Sequence, residues 1–184
     1  MDEHCVVVGI GNPYLQDDRA GVVVVEELER AGLACRTEVV YTVGLEVMDR
    51  IKGFRRAIIV DACMLGNPPG TILELGLDDI FTTHRLAHSH AITLGATLKT
   101  GYVCFPEEMP TDLRIILIEV KAISEFTQEM SPEVETAAAE VVARVRVTEG
   151  LYALLIQSGG LAIFAVANLL QGSGFLAIFV AGMI

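Results

Sequence analysis

Apolar and polar positions along this chain keep two rhythms. Runs dense in apolar residues at Cys5–Gly9, Arg36–Val43, Arg56–Ala62 and Leu113–Val120 predict strands. Between them, apolar residues recur three or four positions apart. Ala20–Ala31 sets Val22, Val23, Val25 and Leu28 against Glu26, Glu27 and Glu29, the pattern of an amphipathic helix. Gly44–Lys52 predicts a short helix on Leu45, Val47, Met48 and Ile51, and Ala91–Tyr102 predicts another. A further helix starts at Ser131 as N-cap, with Pro132 at its first position and Glu133 in its first turn. It continues through Ala137, Val141, Val142 and Val145.

The order strand–helix–strand–helix–strand calls for a parallel sheet with right-handed crossovers. The next connection, Cys63–Gly70, holds two prolines and two glycines and has no room for a crossover helix. Thr71–Leu77 is therefore expected as an antiparallel strand at an edge, because a parallel neighbour needs a dozen or more connecting residues. The expected fold class is α/β: a three-layer α/β/α arrangement around a twisted five-stranded, mostly parallel sheet with one antiparallel edge strand.

Both rhythms stop at Leu151. From there to Ile184 no residue is charged. Leu151–Leu170 has about the twenty residues that a membrane-spanning helix needs. Gln171-Gly172-Ser173-Gly174 interrupts it, and Phe175–Ile184 is apolar but too short to span. The chain is thus read as a domain over 1–150 and an apolar, membrane-like helical tail over 151–184. The other reading makes the tail one more helix and strand of the same core.

Charge narrows the partners. The net charge of −11 lies entirely on the first part of the chain. In such a domain the 24 acids outnumber the 13 lysines and arginines that could neutralise phosphates, so nucleic acid is not an expected partner. The four cysteines are far apart with no Cys-x-x-Cys pair, which argues against a structural zinc. Cys5 and Cys35 lie in apolar strand patterns and are expected as buried, reduced thiols. The acidic start, Met1–His4, is no signal peptide. The cytoplasm is the expected compartment, with membrane contact through 151–184 if the tail is genuine, and a monomer is expected.

The stretch Val6–Asp18 carries the first chemistry. A strand ends in Gly9-Ile10-Gly11-Asn12-Pro13 and leads through Asp17-Asp18 into a helix. A dinucleotide fingerprint would need a third glycine where Tyr14 stands, and two acids are poor company for a phosphate. Two acids there suit a cation, or cap the helix. In a sheet of order 2-1-3, the loops after strands one and three part in opposite directions and open a crevice at the strand C-termini. Asp18 follows strand one and Asp61 ends strand three, so both should face it. His90 lies on the connection after strand four. Two carboxylates and an imidazole make a mixed oxygen and nitrogen site for a divalent metal such as nickel or zinc. His84 and His88 are read as plain loop residues, with His88 able to substitute for His90, and Cys63 as a soft extra ligand on the side of Asp61. The chain has no Gly-x-Ser-x-Gly elbow, no His-Glu-x-x-His helix and no Gly-x-x-x-x-Gly-Lys loop.

The ordered set Gly9-Ile10-Gly11-Asn12, Asp17-Asp18-x-x-Gly21, Gly44-Leu45-Glu46, Ile59-Val60-Asp61-Ala62, Pro69-Gly70-Thr71 and Ser89-His90 resembles the hydrogenase maturation proteases, from about Cys5 to Val147. The resemblance implies an endopeptidase that removes a C-terminal extension from the large-subunit precursor of a nickel-containing hydrogenase after nickel insertion. It implies that the precursor's nickel is the recognition element, that Asp18, Asp61 and His90 are the catalytic and metal-contacting residues, and that no permanent cofactor is needed. Asp18 stands where relatives often carry Glu, and Val39–Val43 lacks the acid of their turn. The general base is expected to be Asp18 or Asp61. Gly172–Ala177 and Phe179–Gly182 resemble a helix pair of cation/proton antiporters, which makes the tail a fused or read-through fragment. The rival functions are a nucleotide- or dinucleotide-binding module built on Gly9 and Gly11, and a membrane-attached regulatory domain.

Overall fold

The structure is a computed structural model. It describes residues 4–76, 79, 90–121, 123, 125–169 and 173. The chain divides into two compact units, Met1–Arg144 and Val145–Ile184.

In the first unit the apolar runs become strands. They are β1 (Cys5–Ile10), β2 (Arg36–Val40), β3 (Arg56–Cys63), β4 (Ile72–Gly76) and β5 (Asp112–Glu119). The sheet order is β2-β1-β3-β5-β4. All pairs are parallel except β4 with β5, so the edge strand is antiparallel as expected. The helices are α1 (Ala20–Arg30), α2 (Leu45–Ile51), α3 (His90–Cys104) and α4 (Pro132–Leu169).

Alternation along the strands sends odd and even positions to opposite faces. Val6, Val8 and Ile10 of β1, Ala57 and Ile59 of β3, and Leu113, Ile115 and Leu117 of β5 form one apolar cluster with Val47 and Ile51 of α2 and Leu94 and Leu98 of α3. Val7, Ile58, Val60 and Ile118 are buried on the other face. Here α1 lies unusually close to β1. A Cβ on Gly9 would strike the Gly21 carbonyl and lie 2.8 Å from Val25 Cγ2, and one on Gly21 would lie 2.5 Å from the Val60 carbonyl. The first turns of α4 bury Val134, Ala137, Ala138 and Val141 outside the first cluster. Helices thus cover both faces.

Two expectations are corrected. Cys5 and Cys35 are not free thiols; they form a disulfide with a Cα–Cα distance of 4.9 Å. The parallel register pairs Val6 with Arg36, so the residue before each stands side by side with the other. Residues 132–169 also form one helix where two segments were expected. No proline interrupts it, and a single interior glycine such as Gly150 costs a helix only about 1 kcal/mol. In this helix Leu151, Leu154, Leu155, Leu161, Val166 and Leu169 are exposed. Among the described residues no helix is long and apolar enough to cross a membrane, so the expected membrane contact of 151–184 has no support there. Residues 170–172 and 174–184, with the second apolar run, lie outside the described residues.

Candidate active site

The sheet order reverses direction at β1 and β3. From β1 the chain crosses to β2 on one side; from β3 it proceeds to the other. A cleft of ≈ 220 Å³ opens at the C-terminal ends of these two strands. Gly11 and Asp18 line it from the β1–α1 connection, Tyr41, Thr42 and Val43 from the residues after β2, Asp61 from β3 and Thr93 from α3.

Each wall has a local cause. Gly11 has φ +144°, and a Cβ there would collide with the Asp18 carbonyl, so only glycine lets the turn fold back this tightly. Asp17 and Asp18 sit in one short 3₁₀ turn, Gln16–Arg19, ahead of α1. Asp18 Oδ2 accepts the Asn12 backbone N–H at 2.8 Å. Asp18 therefore braces the glycine turn and does not cap α1, which has no side-chain cap. Gly9 admits α1 and Gly11 admits the Asp18 backbone, so close packing accounts for both glycines.

Asp61 shares the face of Ile59, toward α2 and α3, and is buried. Its Oδ1 accepts the Ala62 N–H at 2.9 Å. Burial pushes its carboxyl up to about 7; the Ala62 amide works against that rise, and the nearby Asp18 charge adds to it. A carboxyl poised near neutrality is suited to proton transfer at physiological pH.

Cys63 follows on the same side of β3, but its thiol donates to Glu119 Oε2 at 3.5 Å. Burial first, then Glu119 and Asp61, pushes that thiol far up, which favours its protonated form in this hydrogen bond. Glu119 also accepts the Leu65 and Gly66 amides at 2.6 and 2.7 Å and the Asn67 side chain at 3.2 Å, and so holds the turn that follows β3.

His90 is the first residue of α3, one turn ahead of Thr93 on the same helix. Its side chain, like His84 and His88, lies outside the described residues. The cleft thus contains two of the three sequence-derived candidates, with the third at the start of an element that lines it. Tyr41, Thr42, Val43 and Thr93 were not expected in the wall. Arg36–Val43 reads as one strand because Val39, Val40 and Val43 are all β-formers, yet pairing with β1 stops at Val40. The signal for Thr93 was its spacing of three from His90.

A family model described as hydrogenase maturation protease (HycI) matches residues 22–147. Among solved structures, the hydrogenase maturating endopeptidase HybD from E. coli is similar at 27% identity and a TM-score of 0.63, covering 85% of this chain and 94% of that one. The [NiFe] hydrogenase maturation protease HybD from Thermococcus kodakarensis shares the fold at 22% identity and a TM-score of 0.67, over 79% of this chain and 99% of that one. A hydrogenase 2 maturation peptidase from Thaumarchaeota archaeon SCGC_AB-539-E09 is similar at 25% identity and a TM-score of 0.58, over 80% and 99%. The cleft between β1 and β3, its paired acids and the match across most of the sheet lead to one assignment: the chain belongs to the hydrogenase maturation protease family.

Proposed function

We propose that this protein removes the C-terminal extension of the large-subunit precursor of a nickel-containing hydrogenase once nickel has been inserted, and that it does so in the cytoplasm. Support comes from one observation: Asp18 and Asp61, remote in sequence, line a single cleft where the sheet order reverses. On this reading Asp18, Asp61 and His90 contact the nickel that arrives with the precursor, so the metal is part of the substrate. A mixed carboxylate and imidazole set suits that ion. Binding through the metal holds the extension over the cleft, and positioning of this kind lowers the barrier to hydrolysis. Asp61 takes the proton of the attacking water and returns it to the leaving amine. Residues 1–150 carry this activity, and 151–184 are an appendage to it.

The test is cleavage of nickel-loaded and nickel-free precursor by the wild type and by Asp18→Asn, Asp61→Asn and His90→Ala. Wild type is expected to cut only the loaded form, and each variant to fall by roughly 10²-fold or more. A chain ending at Gly150 should cut as the full chain does. Equal cleavage of both precursor forms, or wild-type rates in all three variants, would overturn the proposal.

A further inference from the structure

We propose that Asp17 and Ser131 are positioning residues that set Asp18 in the wall of the cleft. The proposal rests on the reading of Asp18 as a contact to the precursor's nickel. Asp18 is carried by a single 3₁₀ turn of four residues. One turn of this kind gains too little from its own hydrogen bonds to persist alone. Its first residue, Gln16, has φ +41°, in the left-handed region that non-glycine residues rarely occupy. Surrounding contacts must therefore impose the turn.

Those contacts come from one remote segment, Thr127–Ser131. The Gln16 N–H donates to the Thr127 carbonyl at 2.9 Å. The Arg19 guanidinium donates to the Gln128 carbonyl. Between them, Asp17 is 1% exposed and turns from the cleft that its neighbour lines. Its Oδ1 accepts the Ser131 N–H at 2.7 Å and its Oδ2 accepts the Ser131 hydroxyl at 2.9 Å. Both oxygens are thus spent on one residue, directly before α4. The paired acids divide the work: Asp18 faces the cleft, and Asp17 clamps the turn that presents it. An acid at this point also suits the amino end of α4. Misplacing a reacting or binding group by about 1 Å can cost some 10²-fold in rate, so loosening the clamp should show in cleavage before it shows in folding.

The experiment compares wild type, Asp17→Ala, Ser131→Ala, Ser131→Thr and Asp18→Asn on nickel-loaded and nickel-free precursor. Single-turnover cleavage rate, precursor affinity and the denaturant midpoint are measured for each. Ser131→Ala keeps the backbone N–H to Asp17, so it remains folded even if Asp17→Ala does not. Ser131→Ala and Asp17→Ala are expected to lose at least tenfold in rate and much of the preference for the nickel-loaded form. Ser131→Thr, which retains the hydroxyl, should restore both. The positioning role is overturned if Ser131→Ala cleaves and discriminates as wild type does while Asp18→Asn is inactive. It is also overturned if activity merely follows the folded fraction. If Asp18→Asn itself cleaves normally, the underlying reading of Asp18 fails instead.

Discussion

At the scale of single residues, Asp61 is the group on which pH should act most visibly. Its carboxyl titrates at about 7 in the fold, against about 3.9 for an unfolded aspartate. Below pH 4 it is protonated in both states and costs nothing. Between pH 4 and 7 the unfolded chain releases this proton and the folded chain keeps it. Stability therefore falls as pH rises through that window and levels off above it. The Asp61→Asn variant should lack this slope and be more stable than wild type at pH 8, by on the order of 4 kcal/mol, while losing cleavage. Urea midpoints of both proteins from pH 4.5 to 8 test this, and parallel profiles would count against it. Asp17 and Asp18 show how far apart adjacent identical residues can lie in role. Nothing local separates them; only the partners supplied by Ser131 and Asn12 do.

At the scale of elements, the fit of α1 against β1 depends on removing two side chains. The Gly9–Gly21 approach lets the helix sit against the strand whose end carries the cleft. Gly21→Ala puts a methyl group against the backbone carbonyls of Ile10 and Val60, which have no flexible tip to move aside. It should cost about 1–3 kcal/mol by overpacking. Cleavage should fall as well, because α1 carries the Asp18 turn with it. Chemical denaturation together with the precursor assay reads both effects, and a neutral Gly21→Ala would show that the helix has slack. The sequence pattern located all five strands and the antiparallel edge to within a few residues. The end of β2 escaped it, because Val43 fits a strand as well as Val39 does and only pairing with β1 decides where the strand stops.

At the scale of the whole molecule, the disulfide ties β1 to the residue before β2 across a separation of 30 residues. A loop of that size is worth about 2–4 kcal/mol when closed. The bond lies at the start of β1, whereas the cleft opens beyond the ends of β1 and β3. Reduction by dithiothreitol, or Cys35→Ser, should lower the denaturant midpoint accordingly and leave the cleavage rate at 25 °C unchanged. A loss of cleavage in protein shown to be folded would mean that the bond governs the cleft as well. In a thiol-reducing compartment this pair would be kept largely open, so the midpoint without the bond is the one that applies there.

The chain's own order of residues determined the elements, the mostly parallel sheet with its antiparallel edge, and the two acids that belong to strands one and three. These rest on periods of two and 3.6, on proline and glycine placement and on connection length, all of which act over a few residues. Tertiary structure alone decided that Cys5 meets Cys35, that Asp17 turns to Ser131 while Asp18 turns to the cleft, that Glu119 gathers the turn after β3, and that Tyr41, Thr42 and Val43 join the wall. Each depends on strand register or on contacts between segments far apart in sequence. Such contacts are selected by packing the molecule as a whole, and no local pattern encodes them.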